Sequence, residues 1–281
     1  MFIIKSAVDL DITLSSLRKK GNNVGFVATM GALHDGHISL IERSKRENDT
    51  TVCSIFVNPR QFNDSNDLAK YPRPIERDIY LLENAEVDFL FLPEVNDIYP
   101  SNYIEPQVDL NGLENILEGA ARPGHFKGVG QVVKRLFECV KPHRAYFGQK
   151  DYQQTLVIKQ LVKQFQLPIE IASCPILREP NGLAMSSRNI RLSDAYRQQS
   201  GFIYAALCKL KQNCTKMTST EALTIARNDI EGQEGAVIEY FEIVNAENLQ
   251  TIQSIRKNEL AIALLVVNYH GVRLLDNLYL S

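Results

Sequence analysis

The sequence lacks the cysteine patterns of a disulfide-stabilised or zinc-binding protein. Its five cysteines are an odd number, and no two of them form a Cys-x-x-Cys pair. Cys53, Cys139 and Cys174 lie in apolar runs, where a buried thiol is the expected state. This cysteine usage is typical of a reducing compartment, so we expect a cytoplasmic protein.

The sequence also lacks an excess of charge of either sign. Its 31 lysines and arginines nearly balance 33 aspartates and glutamates, which gives a formal net charge of -2. A protein whose main role is to bind nucleic acid needs a basic surface, so we expect no nucleic-acid partner. A local basic pocket for a nucleotide is compatible with this balance.

Long apolar runs are absent as well. No run approaches the ~18 residues that span a bilayer, and the longest, at 260–267, predicts a buried strand. The first residues, Met-Phe-Ile-Ile-Lys, are soon followed by Asp9 and Asp11 and do not resemble a signal peptide. We therefore expect no membrane association.

Strand-like apolar runs alternate with helix-like stretches through the first two thirds of the chain. Strands are predicted at 24–29, 51–57, 87–92, 144–147 and 169–173, and helices at 36–46, 74–83, 129–140 and 152–164. Apolar strands that alternate with helices are typical of a parallel sheet covered on both faces. The predicted fold class is α/β, with a Rossmann-like parallel-sheet domain over residues 1–175.

The pattern changes after residue 175. Ser193-Asp194 predicts the start of a long helix that ends near Lys211, and Thr218–Glu221 has the form of a capping box before another helix. Strands are predicted at 237–244, 260–269 and 273–280, with a turn at His270-Gly271. Helices followed by adjacent strands predict a smaller α+β domain over residues 176–281.

The turn between the strand at 24–29 and the next helix carries the strongest functional signal. It reads Thr-Met-Gly-Ala-Leu-His-Asp-Gly-His over residues 29–37. Ligands of α/β folds bind beyond the carboxyl ends of strands, where a helix N-terminus favours phosphate. His34 and His37 share one helical face and can donate hydrogen bonds to phosphate oxygens. A helix cap with two surface histidines, or a metal-binding pair, are the alternative interpretations.

This segment resembles the His-x-Gly-His signature of the nucleotidyltransferase and class I aminoacyl-tRNA synthetase superfamily. The longer string Thr-Met-Gly-Ala-Leu-His-Asp-Gly-His resembles one family within it, the pantothenate synthetases (pantoate–β-alanine ligases). Four further segments resemble that family in the same order, at 54–62, 117–128, 147–154 and 178–189. The resemblance covers the chain from Ile3 to Asn277 and is weakest over residues 195–260.

Each further segment also has chemistry of its own. Asn58 and Gln61 are amides that can both donate and accept hydrogen bonds, which suits a hydroxylated acid. The segment at 117–128 predicts a Gly/Pro-rich basic loop around an anion. Lys150 opens a helix and can reach phosphates, and Gln154 lies on the same helical face as Asp151. Ser186-Ser-Arg188 follows a glycine-bearing turn and predicts a mobile phosphate clamp.

The resemblance implies a complete set of site residues. The ATP-binding residues would be Met30, Gly31, Ala32, Leu33, His34, Asp35, Gly36, His37, Gly148, Gln149, Lys150, Asp151, Leu177, Met185, Ser186, Ser187 and Arg188. The residues for pantoate and β-alanine would be Asn58, Gln61, Arg122, His125 and Gln154. The catalytic residues would be His37, His34, Lys150 and Arg188, with His37 the main one, and Asp78 would be a Mg²⁺ ligand.

The resemblance also implies the reaction. The pantoate carboxylate would attack the α-phosphorus of ATP, pyrophosphate would leave, and β-alanine would then attack the acyl carbon of the pantoyl adenylate. Mg²⁺ would accompany ATP, the chain would form a homodimer, and the smaller domain would close over the active site. His37 can act in acid–base catalysis or by electrostatic stabilisation alone, and the sequence leaves both open.

Three other functions share part of this pattern. A nucleotidyltransferase acting on a phosphorylated substrate would have the His-Asp-Gly-His turn but has no need for Asn58, Gln61 or Gln154. A fragment of a tRNA synthetase would need a larger basic surface for its RNA. A nucleotide sensor without turnover would be expected to lose His37 or Lys150, and both are present.

Overall fold

The computed structural model of the chain describes residues 1–62, 68–69, 71–256 and 258–281. Its contacts divide the chain into two units. The first contains Met1–Gly148 and Gln153–Cys174, and the second contains Gln149–Tyr152 and Pro175–Ser281. The sequence places its predicted domain boundary after residue 175, and it does not separate the short segment Gln149–Tyr152 from the sheet domain around it.

The first unit is built on a parallel sheet of six strands. Its strands are β1 (Phe2–Ile4), β2 (Val24–Thr29), β3 (Thr50–Ile55), β4 (Phe89–Phe91), β5 (Arg144–Gly148) and β6 (Glu170–Cys174). They lie in the order β1-β4-β3-β2-β5-β6, and every pair is parallel. All six residues of β3 are buried, as expected for a strand covered on both faces. The predicted α/β class is confirmed.

Helices connect these strands. The described helices of this part of the chain are α1 (Ala7–Lys19), α2 (Asp35–Glu47), α3 (Ile75–Asn84), α4 (Val95–Ile98), α5 (Leu117–Ala121), α6 (His125–Val140) and α7 (Tyr152–Gln164). The sequence did not predict β1 or α1. The edge strand β1 has only three residues, and Val8 and Ile12 of α1 are 68% and 65% exposed, which blurs the apolar periodicity of that helix.

The segment at 117–128 differs from its prediction. Instead of one open loop, it contains α5, a short turn and the first residues of α6, which begins four residues before its predicted start. Gly124 adopts the left-handed region, with φ +81°, directly before the helix. His125 therefore lies in a helical first turn. Composition alone suggested a loop because this stretch contains three glycines and a proline.

The second unit contains an antiparallel sheet with helices that precede it in the chain. Strands β7 (Ala236–Asn245), β8 (Ala261–Tyr269) and β9 (Val272–Tyr279) lie in sequential order. The β8–β9 turn is formed by His270 and Gly271, with φ values of +48° and +79°. Two left-handed residues in succession are typical of a tight hairpin. The three predicted strands and this turn are confirmed.

The long helix predicted from Asp194 to about Lys211 is wrong. The structure has two helices there, α8 (Asp194–Gln199) and α9 (Phe202–Asn213), followed by α10 (Ser219–Glu231). The break lies at Ser200-Gly201, where a Cβ on Gly201 would be 2.3 Å from the carbonyl oxygen of Asn181. A close backbone approach therefore sets this break, and it cannot be read from helical periodicity.

The structure records the state of the five cysteines and the length and polarity of the described helices. All five cysteines are free thiols, and Cys53, Cys139 and Cys174 are buried. Burial raises the pKa of Cys53 to about 12, so this thiol stays protonated. Among the described helices, none is both long enough and apolar enough to cross a bilayer.

We predict that Glu47 contributes to stability above its pKa. Its carboxylate accepts hydrogen bonds from Arg43, Tyr146 and Arg144 at 2.8–2.9 Å, and the Arg43 bond above all lowers its pKa from 4.5 to about 2. A lowered pKa gives stability that is present above pH 4.5 and lost as the pH falls through about 2. Because the group is exposed, Glu47→Gln should lower the melting temperature at pH 7 by only about 1–3 °C.

Melting curves of Glu47→Gln and the wild-type protein between pH 7 and pH 2.5 test this prediction. The difference between them should shrink as the pH falls below 4.5. Glu42→Gln, at an exposed position of the same helix, is the control and should leave the curve unchanged. A difference that grows on acidification would contradict the assignment.

Candidate active site

The turn after β2 has a backbone conformation that few sequences adopt. Gly31 and Ala32 both have positive φ, +81° and +50°, and a non-glycine residue in that region is strained. The hydroxyl of Thr29 donates to the carbonyl of Ser54 at 2.7 Å and accepts the N–H of Gly31 at 3.2 Å. These bonds fix the turn against the end of β3.

Asp78 of α3 fixes the rest of this turn. One carboxylate oxygen accepts the N–H of Ala32 and the other that of Leu33, each at 2.8 Å. Asp78 is only 1% exposed, and a Cβ on Gly31 would lie 2.9 Å from it. Burial raises the pKa of Asp78, while the two N–H donors lower it. The Asp78 carboxylate thus holds the left-handed turn in place.

The predicted metal role of Asp78 stays a prediction. The described residues contain no group of three or more His, Cys, Asp or Glu side chains arranged to hold a metal ion. Mg²⁺ keeps several waters and is often held mainly by substrate phosphates, so such a group is not required. Each oxygen of Asp78 keeps a second lone pair beside its backbone hydrogen bond.

His34 and His37 lie at the start of α2. His34 is the N-cap residue, and its Nδ1 accepts the N–H of Gly36 at 3.1 Å. An Nδ1 that accepts leaves Nε2 as the protonated nitrogen of a neutral ring. The two histidine rings are 4.1 Å apart between centroids. The N-terminus of α2 therefore presents both imidazoles beside a positive dipole end that favours an anion.

Asn58 and Gln61 follow the end of β3 in a short 3-10 turn, Pro59–Gln61. Asn58 is fully buried, and its amide donates to the carbonyl of Gly128 at 3.2 Å and accepts from the hydroxyl of Tyr99 at 3.1 Å. The side chain of Gln61 is 7% exposed and donates to Sδ of Met30. One of the two predicted acid-binding amides, Gln61, is therefore in direct contact with the predicted ATP-binding turn.

Arg122 and His125 lie next to this turn. A ring nitrogen of His125, Nδ1, is 2.9 Å from the carbonyl oxygen of Gln61, which requires the Nδ1–H tautomer for a hydrogen bond. Its Nε2 is 3.2 Å from Nη1 of Arg122, which also pairs with Glu118 at 3.6 Å. His125 is 7% exposed. Both residues were predicted to touch substrate, and here His125 supports the backbone of Gln61.

Gln154 lies in the first turn of α7 and is half-buried, and its predicted role stays a prediction. Its neighbour Gln153 is 4% exposed and joins α7 to the start of α5. The Gln153 amide accepts the N–H of Glu118 and donates to the carbonyl of Ile116, at 3.1 and 2.9 Å. The adjacent glutamines thus have different environments.

The second unit holds the remaining predicted ATP-binding residues except Gly148, which is the last residue of β5 in the first unit. Residues Gln149–Asp151 form a 3-10 turn after β5, and Nζ of Lys150 is 3.6 Å from the carboxylate of Asp151. Arg178 and Ala184 form an antiparallel bridge, which closes a small hairpin. Ser186 then caps a second 3-10 turn by accepting the N–H of Arg188 at 3.2 Å.

Hydrogen bonds from Asn189 and Arg197 hold the segment around this hairpin. Asn189 is 2% exposed, and its amide donates to Glu179 at 2.8 Å and to the carbonyl of Ala184 at 3.1 Å. Arg197 donates to the other oxygen of Glu179 at 2.7 Å. Leu177 is 39% exposed, and Met185–Arg188 are half-buried. These hydrogen bonds hold the two ends of the loop, and its mobility stays a prediction.

Two supporting residues were missed in the sequence. Tyr99 holds Asn58 through its hydroxyl, and burial raises the pKa of that phenol, which keeps it a hydrogen-bond donor. Gly128 allows α6 to approach the turn at Gln61, because a Cβ there would lie 2.5 Å from the carbonyl oxygen of Arg60. Gly128 is the last of three glycines in the segment at 117–128, which was the only available signal, and no pattern marks Tyr99.

We predict that Asp78→Asn lowers kcat/KM for ATP about tenfold. The side chain of an asparagine has one acceptor oxygen, so it can accept the N–H of Ala32 or that of Leu33 but not both. Its NH₂ group would face the other N–H. Loss of a hydrogen bond to a charged group costs ~1.5–3 kcal/mol. Steady-state kinetics of the purified variant check this. Asp88→Asn is the matched control, because Asp88 accepts a single backbone N–H, that of Thr51, at the start of β3. Equal losses in the two variants would contradict the role of Asp78.

Comparisons with known proteins agree on one family. A family model described as Pantoate-beta-alanine ligase matches residues 2–279. The pantothenate synthetase of Bacteroides fragilis is 46% identical over 281 residues, which cover 99% of this chain and 98% of that protein.

Solved structures are similar as well. The crystal structure of pantothenate synthetase from Thermus thermophilus is 39% identical, with a TM-score of 0.91 and coverage of 100% of this chain and 99% of that one. A pantoate-beta-alanine ligase from Francisella tularensis, complexed with beta-gamma ATP and beta-alanine, is also 39% identical. Its TM-score is 0.80, and the match covers 100% of this chain and 98% of that one.

Proposed function

Because this chain belongs to the pantoate–β-alanine ligase family, we propose that it condenses (R)-pantoate with β-alanine at the expense of ATP. The products are pantothenate, AMP and pyrophosphate, and the intermediate is pantoyl adenylate. The observation that carries the proposal is the contact between Gln61 and Met30. It joins the amides suited to a hydroxylated acid directly to the turn suited to nucleotide phosphates.

In the first half-reaction a pantoate carboxylate oxygen attacks the α-phosphorus of ATP. A new O–P bond forms, the bond to the β-phosphate oxygen breaks, and pyrophosphate leaves. Negative charge grows on oxygens around the α-phosphorus. The Nε2–H of His34, the ring of His37 and the N-terminus of α2 lie together to stabilise it. The attacking carboxylate is already ionised, so this step requires no general base.

Lys150 and Arg188 are proposed to bind the phosphates that leave. Both belong to the second unit, and each lies within a 3-10 turn. Mg²⁺ is proposed to arrive with ATP as its counter-ion, and phosphate oxygens and waters would be its main ligands. Asp78 keeps its proposed supporting role at the turn, and a direct bond from Asp78 to the metal stays a prediction.

In the second half-reaction the neutral amine of β-alanine attacks the acyl carbon. A C–N bond forms, the C–O bond to AMP breaks, and one proton leaves the amine. His37 is the proposed acceptor of that proton. Asn58 and Gln61 orient the acid, and His125 contributes by holding the Gln61 carbonyl. Arg122 and Gln154 complete the proposed substrate set.

The proposal predicts a defined partial reaction. The purified protein, with ATP, Mg²⁺ and pantoate but without β-alanine, should exchange labelled pyrophosphate into ATP. Addition of β-alanine should then yield AMP and pantothenate, identified by mass spectrometry. If pyrophosphate exchange is absent when pantoate is present, or if it proceeds without pantoate, the ligase function is rejected. The protein would then be a different nucleotide-handling enzyme.

Assembly and location are parts of the same proposal. We propose a cytoplasmic homodimer that uses only small-molecule substrates and associates with neither nucleic acid nor membrane. The free cysteines support the compartment and the balanced charge supports the absence of a nucleic-acid partner, whereas the homodimer is what the family resemblance implies. Light scattering during gel filtration should give twice the mass of one chain.

A further inference from the structure

Two buried polar residues lie side by side on β9. Asp276 is 4% exposed and Asn277 is 1% exposed. Successive residues of a strand direct their side chains to opposite faces of the sheet. A buried amide or carboxylate is costly without hydrogen-bond partners, so the partners of these two residues indicate what they do.

Asn277 holds the backbone of the Lys150 segment. Its Nδ2 donates to the carbonyl of Gln149 at 2.9 Å and to that of Lys150 at 3.0 Å. Its Oδ1 accepts from the side chain of Gln149 at 3.1 Å. The side-chain amide of Asn277 therefore makes three hydrogen bonds with two successive residues, two as donor and one as acceptor. These bonds fix the turn from which the Lys150 side chain extends.

The same face of β9 holds the end of that segment. Tyr279 lies two residues after Asn277, and its hydroxyl donates to the hydroxyl of Tyr152 at 3.2 Å. The Tyr152 hydroxyl in turn donates to the carbonyl of Ala246 at 2.7 Å. The segment Gln149–Tyr152 is thus attached to the antiparallel sheet at both ends, which explains why it groups with the second unit.

Asp276, on the other face, holds the loop that leads to Arg188. Its two oxygens accept from the two terminal nitrogens of Arg178 at 2.6 and 2.9 Å. The Arg178 guanidinium lies 3.6 Å from the ring centroid of Tyr204 and also donates to the carbonyl of Gly182 at 3.0 Å. This bidentate, stacked arrangement is rigid, and it anchors the hairpin that precedes Met185–Arg188.

We propose that Asn277 is a positioning residue for Lys150, and that Asp276 attaches the Arg188 loop to the same strand. The pair would set the distance between the two cations that the proposed function assigns to the ATP phosphates, so the inference rests on that function. Neither residue is argued to touch ATP. A displacement of ~1 Å in a catalytic group costs about 10²-fold in rate, which gives such supporting residues a measurable effect.

The first test is Asn277→Ala in pantoate-dependent ATP–pyrophosphate exchange. We expect kcat/KM for ATP to fall about 10- to 30-fold, with KM for pantoate unchanged. Asn268→Ala is the matched control, because Asn268 lies in the same sheet and also hydrogen-bonds to backbone, accepting the N–H of Gly271 at 3.0 Å in the β8–β9 turn. Asn277→Asp keeps the volume but loses both donors, and it should behave like Asn277→Ala.

Double-mutant cycles separate positioning from general destabilisation. If Asn277 acts through Lys150, Asn277→Ala should cost less than about threefold further when Lys150→Ala is already present. Asp276→Asn should be non-additive with Arg188→Ala in the same way. Fully additive losses, or an Asn277→Ala variant with wild-type kinetics, would overturn the inference.

Failure of the proposed function gives a different result. In that case the wild-type protein itself shows no pantoate-dependent exchange. Calorimetric affinity for a non-hydrolysable ATP analogue then decides the inference on its own. Weaker binding by Asn277→Ala than by Asn268→Ala supports it, and equal binding overturns it.

Discussion

Replacement of His37 by alanine is expected to lower kcat/KM for pantoate-dependent ATP–pyrophosphate exchange by about 10²–10³-fold. Removal of one preorganised donor to a developing negative charge has an effect of this size. His37 lies one helical turn from the fixed N-cap His34, with 4.1 Å between the ring centroids. Its ring therefore lies at the N-terminus of α2, where the growing negative charge on the phosphate is proposed to form.

The rate of ATP–pyrophosphate exchange and the rate of pantothenate formation together define the role of His37. If it stabilises charge alone, exchange and pantothenate formation should fall by similar factors. If it also accepts the amine proton, pantothenate formation should fall further than exchange, and the loss should shrink at high pH, where the amine of β-alanine is neutral. Measurements of both rates between pH 7 and pH 10 distinguish the two.

Two further histidine variants control this experiment. His34→Asn should preserve the start of α2, because asparagine is a favoured N-cap residue, while it removes the Nε2–H. His270→Asn changes an exposed hairpin residue with positive φ, where asparagine is well tolerated, and should leave the rates unchanged. A His37→Ala variant that retains more than a tenth of the wild-type exchange rate would contradict the proposed role.

Gly128→Ala is expected to raise KM for pantoate and lower kcat, with a combined loss of about 10²-fold. The new Cβ would lie 2.5 Å from the carbonyl oxygen of Arg60 and 2.9 Å from Cα of Gln61, and both neighbours are backbone. The 3-10 turn must move away from α6. That movement also breaks the bond from Asn58 to the Gly128 carbonyl, so both acid-binding amides are displaced.

Gly130→Ala is the matched control for this prediction. It lies in the same helix and gains the same helical propensity, but its Cβ meets only the side chain of Val108, at 3.1 Å. Gly130→Ala should keep KM for pantoate within about threefold of the wild-type value. Affinity for ATP analogues should be nearly unchanged in both variants. Equal pantoate kinetics in the two variants would show that the approach at Gly128 does not position Gln61.

The sequence predicted the parts of the fold that depend on periodicity. The buried strands around Val27 and Cys53 have the short apolar runs that are typical of a doubly covered strand, and a recognisable turn separates the last two C-terminal strands. Strand order is not encoded in this way. The chain adds β3 and β4 on one side of β2 and then places β5 on the other, and no local pattern indicates that change of direction. The break at Gly201 likewise depends on a distant carbonyl.

The same distinction between local sequence patterns and long-range contacts applies to the site residues. His34, Gln61 and Lys150 were predicted because they lie in short, distinctive strings that follow strands. Tyr99 and Asn277 act through contacts with residues far away in sequence, so their positions are informative only after folding. Asp78 illustrates this further: its sequence suggested a metal ligand, whereas the structure adds two backbone N–H partners in a turn 45 residues earlier.

The most direct test of the proposed adenylate is oxygen transfer from pantoate to AMP. Pantoate labelled with ¹⁸O in both carboxylate oxygens would be turned over with ATP and β-alanine, and the products analysed by mass spectrometry. Attack of the carboxylate on the α-phosphorus places one ¹⁸O in AMP and leaves the other in the amide of pantothenate. Unlabelled AMP, or ¹⁸O in inorganic phosphate with ADP as the nucleotide product, would contradict adenylate formation.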